Sequence, residues 1–225
     1  MKQIAILGAL ATVALTTPAF AQDLYGFAYG GSAASADLNY GGTIGGAPNS
    51  VNNDLEGGYG LGVGVGKTFQ AWSTDKIGLR GELELSFSDR DADQIQFSGN
   101  GPAAEVNVAG GIRTTALFAN VIADFKTQGA LTPFAGGGLG IAHINQDLVY
   151  GPGVRIQDSD TRLAAQAIVG VSYAASDRIT LTADARYRRV FGVSSTRLSP
   201  AGTSTGTVRG DLESTSLNIG VRFSF

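Results

Sequence analysis

Apolar side chains recur at every second position through eight segments of the chain, and each run predicts a β-strand with one apolar face. The clearest is GYGLGVGVGKTF, in which Tyr59, Leu61, Val63, Val65 and Phe69 are odd-numbered while Gly60, Gly62, Gly64 and Gly66 are even. Its ending, Gly66-Lys67-Thr68, is also the ending of a phosphate-binding loop. That loop requires a glycine where this chain has Leu61, so the nucleotide reading fails on spacing and the strand reading stands.

The other seven segments obey the same rule. The first, near 24–34, carries Tyr25, Phe27 and Tyr29. The third sets Ile77, Leu79, Leu83, Leu85 and Phe87 against Arg80, Glu82 and Glu84. The fourth sets Leu117, Val121 and Phe125 against Asn120, Asp124 and Lys126. A glycine-rich fifth runs from Pro133 to about His143, and its facing stays open. The sixth aligns Leu163, Val169, Val171 and Tyr173 opposite Gln166. In the seventh, Ile179, Leu181 and Tyr187 oppose Thr180, Thr182, Asp184, Arg186 and Arg188. The eighth alternates Leu217, Ile219, Val221, Phe223 and Phe225 with Asn218, Gly220, Arg222 and Ser224.

Connections also alternate. Those around 35–56, 89–112, 144–161 and 193–212 are long and polar, whereas those around 70–76, 127–132 and 174–178 are short. An even number of strands, short turns on one side and long loops on the other predicts an all-β fold: an eight-stranded antiparallel transmembrane β-barrel with short periplasmic turns and four long extracellular loops. Closure satisfies every backbone N–H and C=O without water, which an open sheet in lipid cannot do. Aromatic placement fits two interfacial girdles. Tyr25, Phe69, Trp72, Phe125, Phe134, Tyr173, Phe223 and Phe225 fall near the short turns, and Tyr59, Phe87, Tyr187 and Phe191 near the long loops. The valines of the second strand then face acyl chains. Its glycines leave room in the lumen for large side chains of other strands, and Lys67 snorkels to the interface.

Residues 1–21 read as a cleaved secretory signal, with Lys2, an apolar run from Ile4 to Leu15 and Ala19-Phe20-Ala21 before Gln22. Residues 22–225 form the single barrel domain. The chain has no cysteine and a net charge of −3, which leaves neither a disulfide scaffold nor a basic field for nucleic acid.

By its motifs the chain resembles the small eight-stranded outer-membrane barrels of Gram-negative bacteria, the porin-family or opacity-protein-like group, and the transmembrane domain of outer-membrane protein A. The likeness rests on ANVIADF…LTPFAGGGLGIA, on the basic penultimate strand LTADARYRR and on the terminal VRFSF. It implies residence in the outer membrane, contact with its lipid and lipopolysaccharide, and insertion by the barrel-assembly machinery. Val221, Phe223 and Phe225 would serve as the assembly signal. With the chain ending at Phe225, no peptidoglycan-binding domain is expected after the barrel.

Candidate chemistry is confined to the lumen and one histidine. Arg80, Arg186, Arg188 and Arg222 point inward with Glu82, Glu84 and Asp184, a nearly balanced set. The bore of eight strands is one that side chains can just fill. Strands three and seven face each other across it, with Glu84 and Arg186 at similar height, which favours an ion-pair plug over a selectivity filter or a catalytic carboxylate pair. His143 is the sole histidine, and no serine shares its face nearby, although some barrels of this kind are lipid A-modifying enzymes. Asp158 and Asp160 with one histidine make no recognisable metal site. The expectation is a non-enzymatic barrel without cofactor, contributing to envelope integrity and displaying loops to an unknown surface ligand. A narrow ion or solute channel and a lipid A-modifying enzyme using His143 are the alternatives.

Overall fold

A computed structural model describes residues 23–44, 47–98, 108–150 and 153–225; the expected signal peptide lies outside them. Eight strands run β1 (Leu24–Ile44), β2 (Ala47–Thr68), β3 (Ile77–Ser98), β4 (Val108–Phe125), β5 (Leu131–Tyr150), β6 (Val154–Ala174), β7 (Ile179–Leu198) and β8 (Ser204–Ser224). All neighbours are antiparallel, and β1 pairs with β8 (Phe27 opposite Arg222) to close the barrel. A 3-10 turn, Gln70–Trp72, joins β2 to β3.

The strands are about twice as long as the alternating segments, so the long polar connections expected as loops are themselves largely strand. Their described residues continue the ladder, with Gln146 opposite Asp158 and Asn39 opposite Asp211. The physical reason lies in which parity is apolar. On β5, Leu139 and Ile141 face outward and are exposed, but higher up the outward residues become His143, Asn145 and Asp147 while Ile144 and Leu148 are buried inside. β6 and β8 make the same change, from outward Leu163 and Leu217 to inward Ile156 and Leu212. Below the switch the surroundings are lipid and the lumen is polar. Above it the surroundings are water and the lumen is an ordinary hydrophobic core. That core gathers Ile112, Phe118, Ile144, Leu148, Ile156, Val190, Val193 and Leu212.

The switch also locates the membrane. On β7, Leu181 and Phe191 are exposed lipid-facing residues, and their ten-residue separation corresponds to ~25 Å of height at ~3.3 Å per residue and ~40° tilt, the height of an outer-membrane apolar belt. By the same arithmetic the seven residues of β7 beyond Phe191 rise a further ~18 Å above the outer leaflet.

The first strand faces opposite to the apolar-outward pattern of the others. Tyr25 and Tyr29 are buried in the lumen, and the outward positions are Gly26, Ala28 and Gly30. Across from them lie the glycines of β2, with Tyr25 opposite Gly66, Phe27 opposite Gly64 and Tyr29 opposite Gly62. Each ring occupies the space a side chain would take. A Cβ on Gly62 would overlap Tyr29 Cζ, one on Gly66 would overlap Tyr25 Cζ, and one on Gly64 would overlap Phe27 Cζ. The alternating glycines therefore make room for their own hairpin partner rather than for charged groups elsewhere. β5 repeats the device, setting Gly136, Gly138 and Gly140 opposite Ile122, Asn120 and Phe118. Phe134, like Tyr25, belongs to the lumen and not to the periplasmic girdle. Phe125, Tyr173, Phe223 and Phe225 at the short-turn end, and Tyr59, Tyr187 and Phe191 at the other, are exposed.

Candidate functional site

The lumen within the membrane is crossed by side chains of β1, β3, β4, β6, β7 and β8. Strand alternation puts Arg80, Glu82, Glu84 and Ser86 on one inward row of β3, and Asp184, Arg186 and Arg188 on the facing row of β7. Glu84 is 0% exposed and is the hub. Its Oε1 accepts hydrogen bonds from Tyr29 OH (2.6 Å) and Arg188 Nη2 (2.8 Å). Its Oε2 accepts from Arg186 Nη1 (2.8 Å), Asn120 Nδ2 (2.9 Å) and Gln166 Nε2 (3.2 Å). Donor side chains from β1, β4, β6 and β7 thus converge on one carboxylate of β3, and charge-assisted bonds of this kind are the strong ones.

Arg186 is shared with Asp184, to which Nε donates at 2.7 Å, and its guanidinium lies 3.7 Å over the Tyr29 ring. Asn218 Nδ2 also donates to Asp184. Arg188 donates to Gln166 Oε1 and to Tyr29 OH but meets no carboxylate other than Glu84 among the described residues. Toward the periplasm a second cluster joins Arg80 to Glu82, to Asp124 (2.9 Å) and to Tyr25 OH. Tyr25 OH donates in turn to Glu82 at 2.8 Å. Charges taken out of water need partners at this density, since an unpaired buried ion is costly.

The structure therefore brings Arg80 with Glu82, and Glu84 with Asp184, Arg186 and Arg188. Glu82 serves the lower cluster. One sequence-derived placement changes. Arg222 forms no ion pair with a described residue; its guanidinium lies 5.3 Å over the Tyr25 ring. The residues missed were Tyr25 and Tyr29, hidden by the assumption that an aromatic face is a lipid face. Asn120, Gln166 and Asp124 were legible as inward-facing but not as members of the network. Val221, Phe223 and Phe225 lie on the outer face of β8 and its end, with the two phenylalanine rings 5.7 Å apart edge to face.

His143 lies outside the barrel above the lipid belt, where its Nδ1 is 2.9 Å from Thr161 Oγ1. Neither a serine hydroxyl nor a carboxylate contacts its ring among the described residues. Asp160 accepts from Arg162 (2.6 Å) and from the Ser194 backbone N–H (3.0 Å), and Asp158 from the Thr196 hydroxyl. The bonds to Ser194 and Thr196 stitch β6 to β7 where their ladder is interrupted, between Ile156 and Ala164. Partial burial disfavours the Asp160 anion, but its donors outweigh that and hold the carboxyl below its usual range. Among the described residues no group of three or more acidic, histidine or cysteine side chains is arranged to hold a metal ion.

Eight closed antiparallel strands, a lipid-facing belt between aromatic girdles and a charged, side-chain-filled lumen define an integral outer-membrane β-barrel. The family model for the outer membrane protein beta-barrel domain matches residues 7–225, and the chain belongs to that family. Outer membrane protein PagN of Salmonella typhimurium is 30% identical over 142 residues, which cover 59% of this chain and 57% of PagN. The chain thus matches little more than half the length of that relative. Among solved structures, outer membrane protein OprG of Pseudomonas aeruginosa superposes with a TM-score of 0.56 at 14% identity, covering 89% of this chain and 95% of OprG. The outer membrane protease OmpT of Escherichia coli gives 0.55 at 8% identity, covering 92% and 98%. At those identities the likeness is one of fold. The protein resides in the outer membrane.

Proposed function

We propose that the protein is a non-enzymatic anchor and display scaffold, which contributes to envelope integrity and holds a rigid polar surface above the outer leaflet for contact with other molecules. The observation that carries this reading is the filled bore. Glu84 and its five hydrogen bonds cross the lumen within the membrane, and a packed apolar layer lies above them. Such a barrel gains nothing as a conduit, whereas its extension beyond the lipid gives a stiff platform on which polar side chains vary without unfolding the wall. Lipopolysaccharide around the belt and the barrel-assembly machinery during insertion are the proposed partners, together with a surface ligand. The His143–Thr161 contact lacks the acid that orients a catalytic histidine, so it is assigned to wall structure.

The test has two arms on one preparation series. Wild-type protein in planar bilayers is expected to show no steady open conductance. Cells expressing a barrel with β1–β2, β3–β4, β5–β6 and β7–β8 each shortened to a hairpin at the lipid boundary are expected to lose surface adherence while retaining a folded, heat-modifiable barrel. A large stable conductance, or unchanged adherence after shortening, refutes the reading.

A further inference from the structure

On the outer wall above the lipid belt, β3, β4, β5 and β6 border an open groove of about 570 Å³. Its floor is bare at Gly110 and Gly111. Asp91 of β3 and Asp147 of β5 both stand directly opposite Gly111, one on each side. Their Cα atoms are thus two strand spacings apart, ~10 Å. The floor stays bare because a Cβ on Gly111 would overlap Arg90 O and one on Gly110 would overlap Asp147 O. Both carboxylates are exposed, and neither has an ion pair or hydrogen-bond partner among the described residues. We propose that this groove is one half of a contact between copies of the protein in the plane of the membrane, the other half being Arg209 of the next copy.

The row below shows what a cation does at this place. There Arg113 of β4 stands opposite Asp89 of β3 and donates to its carboxylate at 3.0 Å. One row higher β4 offers glycine instead, so the wall supplies acids without a guanidinium. Arg209 is the converse, a guanidinium without an acid. It has the outward parity of the exposed Leu217 and Ile219 on β8, while Leu212 is buried inside. It is exposed and pairs with no carboxylate among the described residues. Its neighbour on β1 is Gly41, where a Cβ would meet nothing within 4 Å, so the arginine projects from an open stretch of wall.

Position around the ring and height both match. β4 and β8 are four strands apart in a closed ring of eight, so the groove and Arg209 face opposite ways. Asp91 is fourteen residues above Ile77, the periplasmic start of β3, and Asp147 is sixteen above Leu131, the start of β5. Arg209 is fifteen above Ser224, the periplasmic end of β8. At ~2.5 Å of height per residue all three lie within ~5 Å of one level. Phe191, at the upper edge of the belt, is only twelve residues above Ile179, so that level is just outside the lipid. Two barrels upright in one membrane therefore bring Arg209 of one to the groove of the other by a sideways shift alone. One guanidinium carries donors on both edges and can bridge Asp91 and Asp147.

A contact between unlike faces does not close on itself, so it repeats and lines the barrels up in rows. Exposed ion pairs are individually weak. The membrane offsets this by holding both copies at one height and one tilt, which removes much of the orientational cost of association. Such rows need no surface ligand and stand apart from the display role.

The experiment uses the full barrel, which has no cysteine of its own. Donor or acceptor dye is attached at Gln128→Cys in the β4–β5 turn, and the protein is inserted from urea into preformed phosphatidylcholine vesicles. Energy transfer is expected to exceed that of randomly placed barrels at the same protein-to-lipid ratio, and the excess to be lost in high salt. Arg209→Glu alone and Asp91→Lys/Asp147→Lys alone are each expected to lose it. A one-to-one mixture of these two variants is expected to regain it, since each supplies the charge that the other lacks. Gel mobility of unboiled samples verifies that every variant is folded. Random transfer in the unsubstituted barrel overturns the proposal, and oligolysine binding to such dispersed barrels would assign the groove to a foreign basic segment. Excess transfer undiminished in Arg209→Glu overturns it by placing the contact elsewhere. Loss in both variants without recovery in the mixture, or loss on adding a chelator, overturns it in favour of a bridging divalent ion.

Discussion

Replacing Glu84 by Gln preserves shape and removes one charge, yet an amide cannot satisfy the donors that surround this carboxylate. Its two oxygens face donors on both sides: Tyr29 and Arg188 at Oε1, and Arg186, Asn120 and Gln166 at Oε2. An amide has one acceptor and one donor end, so either orientation sets its NH₂ against at least two donors. The substitution is therefore expected to destabilise nearly as much as Glu84→Ala. The loss is ~3–5 kcal/mol, the cost of leaving a buried partner ion uncompensated.

The partners are not equivalent. Arg186 keeps two hydrogen bonds to Asp184, whereas Arg188 retains only the neutral Gln166 and Tyr29. In double-mutant cycles the Glu84–Arg188 coupling, measured with Arg188→Met, should lie near the top of the ~0.5–3 kcal/mol range typical of contacting groups. The Glu84–Arg186 coupling should be smaller. Urea unfolding from lipid vesicles, monitored by fluorescence of Trp72, the only tryptophan, and by the gel mobility of unboiled samples, supplies the free energies. Additive losses at both pairs, or a larger coupling to Arg186, would refute the hub as described.

Other parts of the wall lead to three further expected outcomes. Gly62→Ala should destabilise by ~1–3 kcal/mol by overpacking against Tyr29, while Gly60→Ala, whose Cβ would meet only Phe87 O at 3.7 Å, should be neutral; equal effects in chemical denaturation would discard the ring-over-glycine packing. The Gly192 N–H (2.7 Å) and then the Arg189 guanidinium hold the Asp211 carboxyl below its ordinary 3.8. Its stabilising contribution is thus complete above pH 3.8 and lost as pH falls through the depressed value, so Gly192 amide exchange should open in that acid window and the effect should vanish in Asp211→Asn. Phe225→Ser should reduce inserted barrel in cells several-fold with little change in the unfolding midpoint of whatever inserts; unchanged insertion would remove Phe225 from the proposed assembly signal.

Strand number and the two-faced pattern were legible from period two; closure, and with it the inward placement of Arg80, Glu84, Asp184 and Arg186, needed the alternating connection lengths and the aromatic girdles as well, because only a lipid-facing apolar row turns its polar neighbours into the bore. The extent of the strands was not. Where β5 leaves the membrane, the apolar row passes from Leu139 and Ile141 to Ala142, Ile144 and Leu148, a change of parity within three residues. To a search for one continuous phase, that change looks like the end of a strand. The facing of β1 was illegible for a different reason. Tyr25 and Tyr29 are amphipathic, and an apolar count cannot tell a ring in lipid from one that delivers a hydroxyl to a buried carboxylate. The usable clue was in the partner strand, since glycines at 62, 64 and 66 match aromatics at 29, 27 and 25 across one hairpin.

The parity change bears on function as well. A barrel that ended at the lipid boundary would need only a polar bore, and loops of any length above it. This chain spends the upper parts of β5, β6, β7 and β8 on an oppositely patterned wall stacked on the first, with Val193, Leu148 and Ile156 in its core. An inverted pattern of this kind is stable only in water on the outside, so it fixes the upper half as an extramembrane domain, not as a deeper membrane span. It also argues against the lumen as a route, because among the described residues the bore is filled at both levels, by the Glu84 network below and by the Ile144, Leu148 and Val193 core above. What remains available to the surroundings is the outer wall of the upper half, rigid through its ladder and free to vary in its outward residues.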